Sequence, residues 1–175
     1  MPRVEHDCSK FVLDSIKKLG CNSGIALDIP SGAGRHSRLL ASCGMQVISA
    51  AIDLPSLEIA RRLSDGPGNE RILLVQVDLT AALPFKDGAF DLVLVVHFQL
   101  LDAIPAINRL IKPGGRLLLE TYGAHGENWR TLPEAGQVAQ LLSSDFKLER
   151  YKETTVRKQP DRVTLAAIAV KNGFF

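Results

Sequence analysis

Apolar positions recur along this chain with two different spacings, and the two kinds of segment alternate. Residues 12–19 carry apolar side chains at helical spacing and Gly20 follows them, which predicts an amphipathic helix that ends there. Short apolar runs with β-branched residues predict strands. The predicted strands cover residues 25–29, 46–52, 72–77, 90–96, 116–122, 146–156 and 163–171, and the further helices cover residues 35–43, 55–63, 103–111 and 134–142.

This alternation is typical of a parallel sheet with right-handed crossovers and helices on both faces. Residues 90–96 form the most apolar run and show no polar alternation, as expected of a strand in the middle of such a sheet. The last two strands follow each other without a helix, so at least one of them must run antiparallel to its neighbours. Neither a linker nor an internal repeat is visible, and residues 1–175 are expected to form a single domain.

Composition narrows the classes of function. The chain has 175 residues, of which 46% are hydrophobic, and its net charge is +2, so no broad positive field favours a nucleic acid partner. The N-terminus lacks the apolar core of a secretory signal, and no uncharged apolar run approaches the roughly 18 residues of a membrane span. Three widely spaced cysteines predict reduced thiols and no metal site. A cytoplasmic protein without a membrane partner is expected.

A glycine loop follows the first predicted strand. Residues 30–34 read Pro-Ser-Gly-Ala-Gly and stand directly before a helix, at the edge of the sheet where open α/β folds bind ligands. The third glycine of a dinucleotide fingerprint is missing, because Ser37 stands there. Asp28 just before the loop would repel a pyrophosphate but suits a cationic ammonium group.

Residues 27–35, with the sequence LDIPSGAGR, resemble the first motif of class I S-adenosylmethionine-dependent methyltransferases. The resemblance continues in the family's order and spacing through residues 77–79, 83–85, 90–93 and 110–118. Residues 120–123 and 128–133 are similar to the small, tellurite-resistance-type branch. The resemblance implies S-adenosylmethionine as cofactor. It also implies an α/β, Rossmann-like three-layer sandwich, in which a seven-stranded, mostly parallel sheet has one antiparallel strand near the C-terminus.

The same resemblance implies roles for individual residues. Gly32 and Gly34 would bring backbone against the methionine part of the cofactor, and Asp28 would face its ammonium group. Arg35 would reach the cofactor carboxylate, unless it is a solvated charge of the first helical turn. Asp78 would accept from the adenine amino group, unless it caps the following turn, and Leu79 would pack on the adenine ring. The full set of implied cofactor residues is Asp28, Ser31, Gly32, Ala33, Gly34, Arg35, Asp53, Leu54, Asp78, Leu79 and His97.

Two positions depart from the family pattern. Pro30 stands at the first glycine of the motif, which removes one N–H donor. Ala51 stands where the ribose-binding acid is expected, and Asp53 follows two residues later on the same side of an extended chain. Either Asp53 binds the ribose or that contact is weakened.

Candidate acceptor residues follow the fourth and fifth strands. His97 leaves the fourth strand where the methyl group would point, as a catalytic base, as a group that orients the acceptor, or as a packed wall residue. Residues with aromatic rings or with polar side-chain groups complete the predicted acceptor wall, although Trp129 could equally anchor a loop. These predicted substrate residues are Phe98, Tyr122, Asn128 and Trp129.

Together these patterns predict methyl transfer from S-adenosylmethionine to a small-molecule acceptor by in-line displacement. The alternative is a catalytically degenerate cofactor-binding module with a regulatory or scaffolding role. A nicotinamide-dependent oxidoreductase would need a substrate domain for which this length leaves no room. The same shortness leaves little chain for an acceptor cap, so we expect an open pocket or one that a homodimer completes.

Overall fold

A computed structural model describes residues 8–64, 69–79, 81–98, 101–124, 132–156 and 159–173. The strands are β1 Ile25–Asp28, β2 Gln46–Ala51, β3 Ile72–Gln76, β4 Phe90–Val96, β5 Ile111–Ala124, β6 Phe146–Val156 and β7 Gln159–Lys171. The α-helices are α1 Lys10–Leu19, α2 Arg35–Ser42, α3 Leu54–Leu63, α4 Ile104–Leu110 and α5 Gln137–Leu142. Most of these elements agree with the predicted ones to within a few residues.

The seven strands form one sheet in the order β3-β2-β1-β4-β5-β7-β6. β7 runs antiparallel to both β5 and β6, and the other neighbouring strands pair in parallel. The predicted seven-stranded sheet with one antiparallel strand is therefore confirmed. The strand order reverses between β1 and β4, which places a ligand-binding crevice at the carboxyl end of β1.

Each face of the sheet is covered by helices. On one face, which we call the α4 face, Val93 and Val95 of β4 pack in a core with residues of α4 and α5. On the other, the α2 face, Leu92 and Leu94 pack in a core with residues of α1 and α2. Because both sets of alternating side chains are buried, β4 shows no polar alternation in the sequence.

The ends of α1 and α3 follow from their capping residues. Gly20 has a φ of 62° and forms the C-cap of α1, as the sequence predicts. Asp53 forms the N-cap of α3, where its carboxylate accepts a 2.9 Å hydrogen bond from the Ser56 amide. Within the described residues, no helix has both the length and the apolar character that crossing a membrane requires.

β5 begins at Ile111, five residues before the predicted strand over residues 116–122. The strand begins at Ile111, opposite Phe90, and the next paired residues are Leu92 and Arg116. Residues 112–115 therefore form a bulge within the strand, in which Gly114 has a φ of 77°. Pairing with β4 on both sides of the bulge keeps this segment in the sheet.

Candidate functional site at the carboxyl edge of the sheet

The loop between β1 and α2 is held by backbone hydrogen bonds. The Ser31 amide donates to the carbonyl of Ala50 at 2.8 Å, and the Gly34 amide donates to the carbonyl of Ser31 at 2.9 Å. Gly32 and Gly34 have φ values of 52° and 71°, a backbone conformation that favours glycine. The glycines thus allow a tight loop that stays tied to β2.

The two glycines face different surroundings. A Cβ atom at Gly32 would meet nothing within 4 Å, so this residue exposes its backbone to open space. A Cβ atom at Gly34 would lie 3.2 Å from the Ala60 Cβ and 3.6 Å from the Ser49 Oγ. Gly34 therefore lets the loop pack against α3 and β2, whereas Gly32 leaves room for a ligand.

Asp28 at the end of β1 is fully buried. Its Oδ2 accepts a 2.6 Å hydrogen bond from the Ser37 hydroxyl, and the Ser37 and Ser49 hydroxyl oxygens are 2.8 Å apart. Its Oδ1 is buried and has no hydrogen-bond partner among the described residues. Burial raises the pKa of Asp28 to about 7, although the hydrogen bond from Ser37 and the charge of Arg35 oppose this rise. Such a carboxylate offers one unpaired oxygen to a cationic hydrogen-bond donor.

The other predicted cofactor residues near Asp28 lie in the glycine loop and at the start of α2. Ser31 is buried, and its hydroxyl has no hydrogen-bond partner among the described residues. The Ala33 carbonyl accepts a 2.9 Å hydrogen bond from Arg38. Arg35 is half-buried at the first position of α2, close enough for its charge to lower the pKa of Asp28.

The end of β2 carries the residues predicted to meet a ribose. Ala51 is buried, and Asp53 lies two residues beyond it as the exposed N-cap of α3. The hydrogen bond from Ser56 lowers the pKa of Asp53, which keeps this carboxyl group ionised. One carboxylate oxygen serves the cap, and Leu54 beside it is 54% exposed. An acid is therefore present at this edge in spite of Ala51.

Asp78 and Leu79 follow the end of β3, the outermost strand on this side of the sheet. Asp78 is exposed, and Leu79 is half-buried against the core of the α4 face. The Ala81 amide donates to the carbonyl of Asp78, which bends the chain back after the strand.

His97 follows β4 with a φ of 56°, a conformation that costs free energy for a residue with a side chain. Its amide donates a 2.7 Å hydrogen bond to the carbonyl of Glu120. The exposed imidazole stacks on the Tyr122 ring, with the ring centres 4.9 Å apart and an angle of 12° between the planes. The Arg162 guanidinium carbon lies 3.8 Å from the centre of the same ring. The Tyr122 ring thus contacts both an imidazole and a guanidinium group.

Phe98 lies apart from this stack. It is half-buried and packs against the core of the α4 face, and its carbonyl accepts a 2.9 Å hydrogen bond from Thr121. Tyr122 follows Leu118 by four residues along β5, and because Leu118 packs in the core of the α2 face, Tyr122 belongs to that face as well. The predicted substrate residues Asn128 and Trp129 lie outside the described residues.

Comparisons with known proteins agree with this geometry. A family model described as "Methyltransferase domain" matches residues 27–119. The ubiquinone/menaquinone biosynthesis C-methyltransferase UbiE of Pseudomonas entomophila (strain L48) is 34% identical over 185 residues, an alignment that covers 91% of this chain and 69% of that relative. The chain belongs to the class I S-adenosylmethionine-dependent methyltransferases. Its methyl donor is S-adenosylmethionine, and the chain is a transferase.

Solved structures share the fold of this methyltransferase. The crystal structure of MccD protein superposes with a TM-score of 0.78 at 15% identity and covers 93% of this chain and 97% of its own. Geranyl diphosphate methyltransferase in complex with S-adenosylmethionine superposes with a TM-score of 0.76 at 12% identity, over 93% of this chain and 83% of its own. At these identities the likeness shows the fold alone.

The open space at Gly32 and the unpaired Oδ1 of Asp28 fit the methyl donor of this family. An ammonium group beside Asp28 would satisfy a buried oxygen that otherwise carries a desolvation cost of about 1–3 kcal/mol or more. Backbone at Gly32 would approach the donor without a side chain between them. The residues present can therefore hold the cofactor that the family uses.

Sequence reasoning missed several side chains of this site. Ser37 and Ser49 orient Asp28, and Arg162 contacts the Tyr122 ring, but each comes from a different element. Ser37 lies nine residues after Asp28, a spacing that brings the first turns of α2 over the end of β1. No comparable signal in the sequence links Arg162 with Tyr122.

His36 ties α1 to α2 behind the loop. Its Nε2 accepts a 3.2 Å hydrogen bond from the Ser9 amide, and the Cys8 thiol donates to the Arg35 carbonyl at 3.4 Å. Burial, with smaller effects from the charges of Arg35 and His97, lowers the pKa of His36 to about 4. A neutral imidazole with an unprotonated Nε2 is what this hydrogen bond requires.

A groove of about 680 Å³ lies at the opposite edge of the sheet, between α4 and the end of β7. Arg109 there donates to the carbonyls of Leu83 and Phe85, and Lys171 donates to those of Asn108 and Ile111. These cations are engaged in holding backbone carbonyls. Because the groove lies at the amino ends of the parallel strands, it is not the ligand-binding edge of this fold.

Proposed function

We propose that this methyltransferase transfers a methyl group to a small-molecule acceptor by in-line displacement, with residues 1–175 acting as one domain. The supporting observation is that Asp28, with its unpaired buried oxygen, shares the α2 face and the carboxyl edge with the stack of His97 and Tyr122. A site for a cationic donor thus adjoins an aromatic wall. The curated relatives named as C-methyltransferases favour turnover over a cofactor-binding module without activity.

The proposed cofactor side extends along the edge from β1 to β3. Asp28 binds the ammonium group, the loop backbone meets the methionine part, and Arg35 pairs with the carboxylate. Asp53 binds the ribose in place of the missing acid, because its carboxylate is exposed at the end of β2, two residues beyond Ala51. The proposed cofactor residues are Asp28, Ser31, Gly32, Ala33, Gly34, Arg35, Asp53, Leu54, Asp78, Leu79 and His97.

On the acceptor side, His97 and Tyr122 form a flat wall that suits a planar ring. Bound S-adenosylmethionine supplies a methyl group already activated by the sulfonium charge. The chain's own residues therefore act mainly by holding the acceptor in line and by excluding water. His97 orients the acceptor or takes its proton, and Phe98, Asn128 and Trp129 extend the pocket.

The chemical class of the acceptor follows from the relatives and from this wall. UbiE of Pseudomonas entomophila is named for C-methylation in ubiquinone and menaquinone biosynthesis. We propose that the acceptor here is likewise the carbon of a planar, hydroxylated aromatic ring. We also propose that a homodimer closes the open acceptor edge. Light scattering would test this by measuring the molar mass of the protein in solution.

The decisive experiment supplies isotopically methyl-labelled S-adenosylmethionine together with 1,4-naphthalenediol under anaerobic conditions. We expect a ring-methylated product in the mass spectrum, and no such product from 1,4-dimethoxynaphthalene, which lacks the hydroxyl groups. A thiol and an aliphatic amine serve as further acceptors. Labelling of the thiol or amine without labelling of the diol would refute the aromatic acceptor.

A further inference from the structure

Glu120 lies next to the aromatic stack and takes no part in the roles described so far. In β5 it pairs with Val96 of β4 and with Ala166 of β7, and Tyr122 follows two residues later on the same face. Its backbone carbonyl also receives the His97 amide. Glu120 is thus built into the same carboxyl edge as the proposed acceptor wall.

The Glu120 carboxylate has one buried oxygen without a partner. Oε2 is buried and accepts no hydrogen bond from the described residues. The side chains of the paired residues, Val96 and Ala166, have no hydrogen to donate, and Leu118 on the same face is apolar. A buried acceptor left unpaired costs about 1–3 kcal/mol, and more if it is charged, so such a group is expected to have a partner that arrives with a ligand.

Glu120 lies at a distance from Asp28, the residue proposed to bind the ammonium group of the cofactor. Asp28 pairs with Leu94, and Val96 opposite Glu120 lies two residues farther along β4. Across the sheet, Glu120 lies two strands from Asp28, a distance of about 9–10 Å. Along the strands, it lies two residues, about 6–7 Å, farther toward the carboxyl edge. Both side chains point to the α2 face. The two carboxylates therefore serve different parts of one site.

We propose that Glu120 binds a hydroxyl group of the aromatic acceptor and takes its proton during methyl transfer, which leaves His97 to orient the acceptor. This inference rests on the proposed function. As the bond between ring carbon and methyl forms and the bond between methyl and sulfur breaks, the hydroxyl proton passes to Glu120 and the ring oxygen becomes a carbonyl. The proton on the methylated carbon then leaves to water, and Glu120 returns its proton to the oxygen. One proton is released in total, and the ring regains its aromaticity.

Glu120→Gln tests this role, because it keeps the size of the side chain and removes the proton acceptor. With 1,4-naphthalenediol we expect kcat to fall by about 100-fold or more, as for the loss of a general base, with KM changed far less. The dissociation constant of S-adenosylhomocysteine should stay within twofold. Glu120→Asp, which restores a carboxylate on a shorter arm, should recover part of kcat.

Glu149→Gln is the matched control, since Glu149 on β6 pairs with Arg116 outside the acceptor wall. It should leave kcat unchanged. A Glu120→Gln variant that binds S-adenosylhomocysteine and retains kcat within threefold would overturn the proposal, while the proposed function would stand. If the wild-type protein neither binds nor methylates the diol, by calorimetry and mass spectrometry, both the acceptor class and the Glu120 assignment fall.

Discussion

The Ser37 hydroxyl donates a 2.6 Å hydrogen bond to Oδ2 of Asp28, whereas Oδ1 of the same buried carboxyl group has no partner among the described residues. One oxygen is thus fixed by the protein and the other is left for a ligand. Since burial raises the pKa of Asp28 to about 7, the charge of this group depends on pH in the range where the methyltransferase would be assayed.

Cofactor affinity should therefore weaken as the pH falls below about 7. In the proposed site the cationic donor binds the ionised form of Asp28, and a proton that remains on the carboxyl group below its pKa must leave first. Between pH 7.0 and pH 5.5 we expect the dissociation constant of S-adenosylmethionine to rise roughly tenfold, measured by calorimetry. Asp28→Asn should bind at least ~30-fold more weakly, with no such dependence. Equal affinity of the wild type at both pH values would contradict this role of Asp28.

In the absence of cofactor, Asp28 and His36 should change the stability of the protein in opposite directions as the pH rises. Between pH 3.8 and about 7 folded Asp28 keeps a proton that the unfolded chain releases, so its burial lowers stability as pH rises. Between pH 4 and 6.5, His36 binds a proton in the unfolded chain but not in the folded protein. The contribution of His36 to stability therefore increases as the pH rises.

Urea unfolding of two single variants would separate these effects. The excess stability of Asp28→Asn over the wild type should grow from near zero at pH 4 to on the order of 3–4 kcal/mol at pH 7. His36→Gln should show the reverse trend, becoming less stable relative to the wild type as pH rises from 4 to 6.5. Parallel profiles for all three proteins would show that neither group titrates as described.

Gly32→Ala should weaken cofactor binding by at least ~10-fold, because the added methyl group enters the open space beside the loop. Gly88 is a matched control, since its φ is 59° and a Cβ atom there also meets nothing within 4 Å. Both variants should lose about 1 kcal/mol of stability to the strained backbone, but Gly88→Ala should keep full affinity. An unchanged dissociation constant for Gly32→Ala would remove this glycine from the cofactor site.

Asp53→Asn tests the proposed ribose contact apart from the helix cap. Asparagine is as good an N-cap as aspartate, so thermal unfolding should change little. Loss of the charged acceptor should raise the dissociation constant of S-adenosylmethionine about tenfold, a cost typical of a charged hydrogen bond. If affinity and melting temperature both stay unchanged, Asp53 serves the cap alone.

Local patterns predicted the elements well where one signal was strong. β4 has its predicted bounds, and α1 ends at Gly20, because a continuous apolar run and a helix-stopping glycine are properties of neighbouring residues. The bulge before Arg116 was not predictable in this way. Pro113-Gly114-Gly115 has the composition of a turn, and only pairing with β4 on both sides keeps it within a strand.

The contacts of the site that join residues from distant elements could not be predicted from the sequence. His97 and Phe98 are neighbours in the chain, yet the positive φ of His97 turns its ring onto Tyr122 while Phe98 packs on the other face. The motif around the glycine loop located Asp28, but the contact of Ser49 with Ser37 and the proposed role of Glu120 depend on strand register. Register depends on tertiary packing, which a single sequence does not display.

The antiparallel direction of β7 determines which of its two ends lies beside the proposed acceptor wall. Arg162 lies near the beginning of this strand, and because the strand runs against β5 that beginning meets the carboxyl ends of β4 and β5. Lys171, at its far end, instead holds two backbone carbonyls at the opposite edge. In a parallel seventh strand these two cations would exchange places. The direction of one strand therefore determines that a guanidinium rather than an ammonium group stands over the Tyr122 ring.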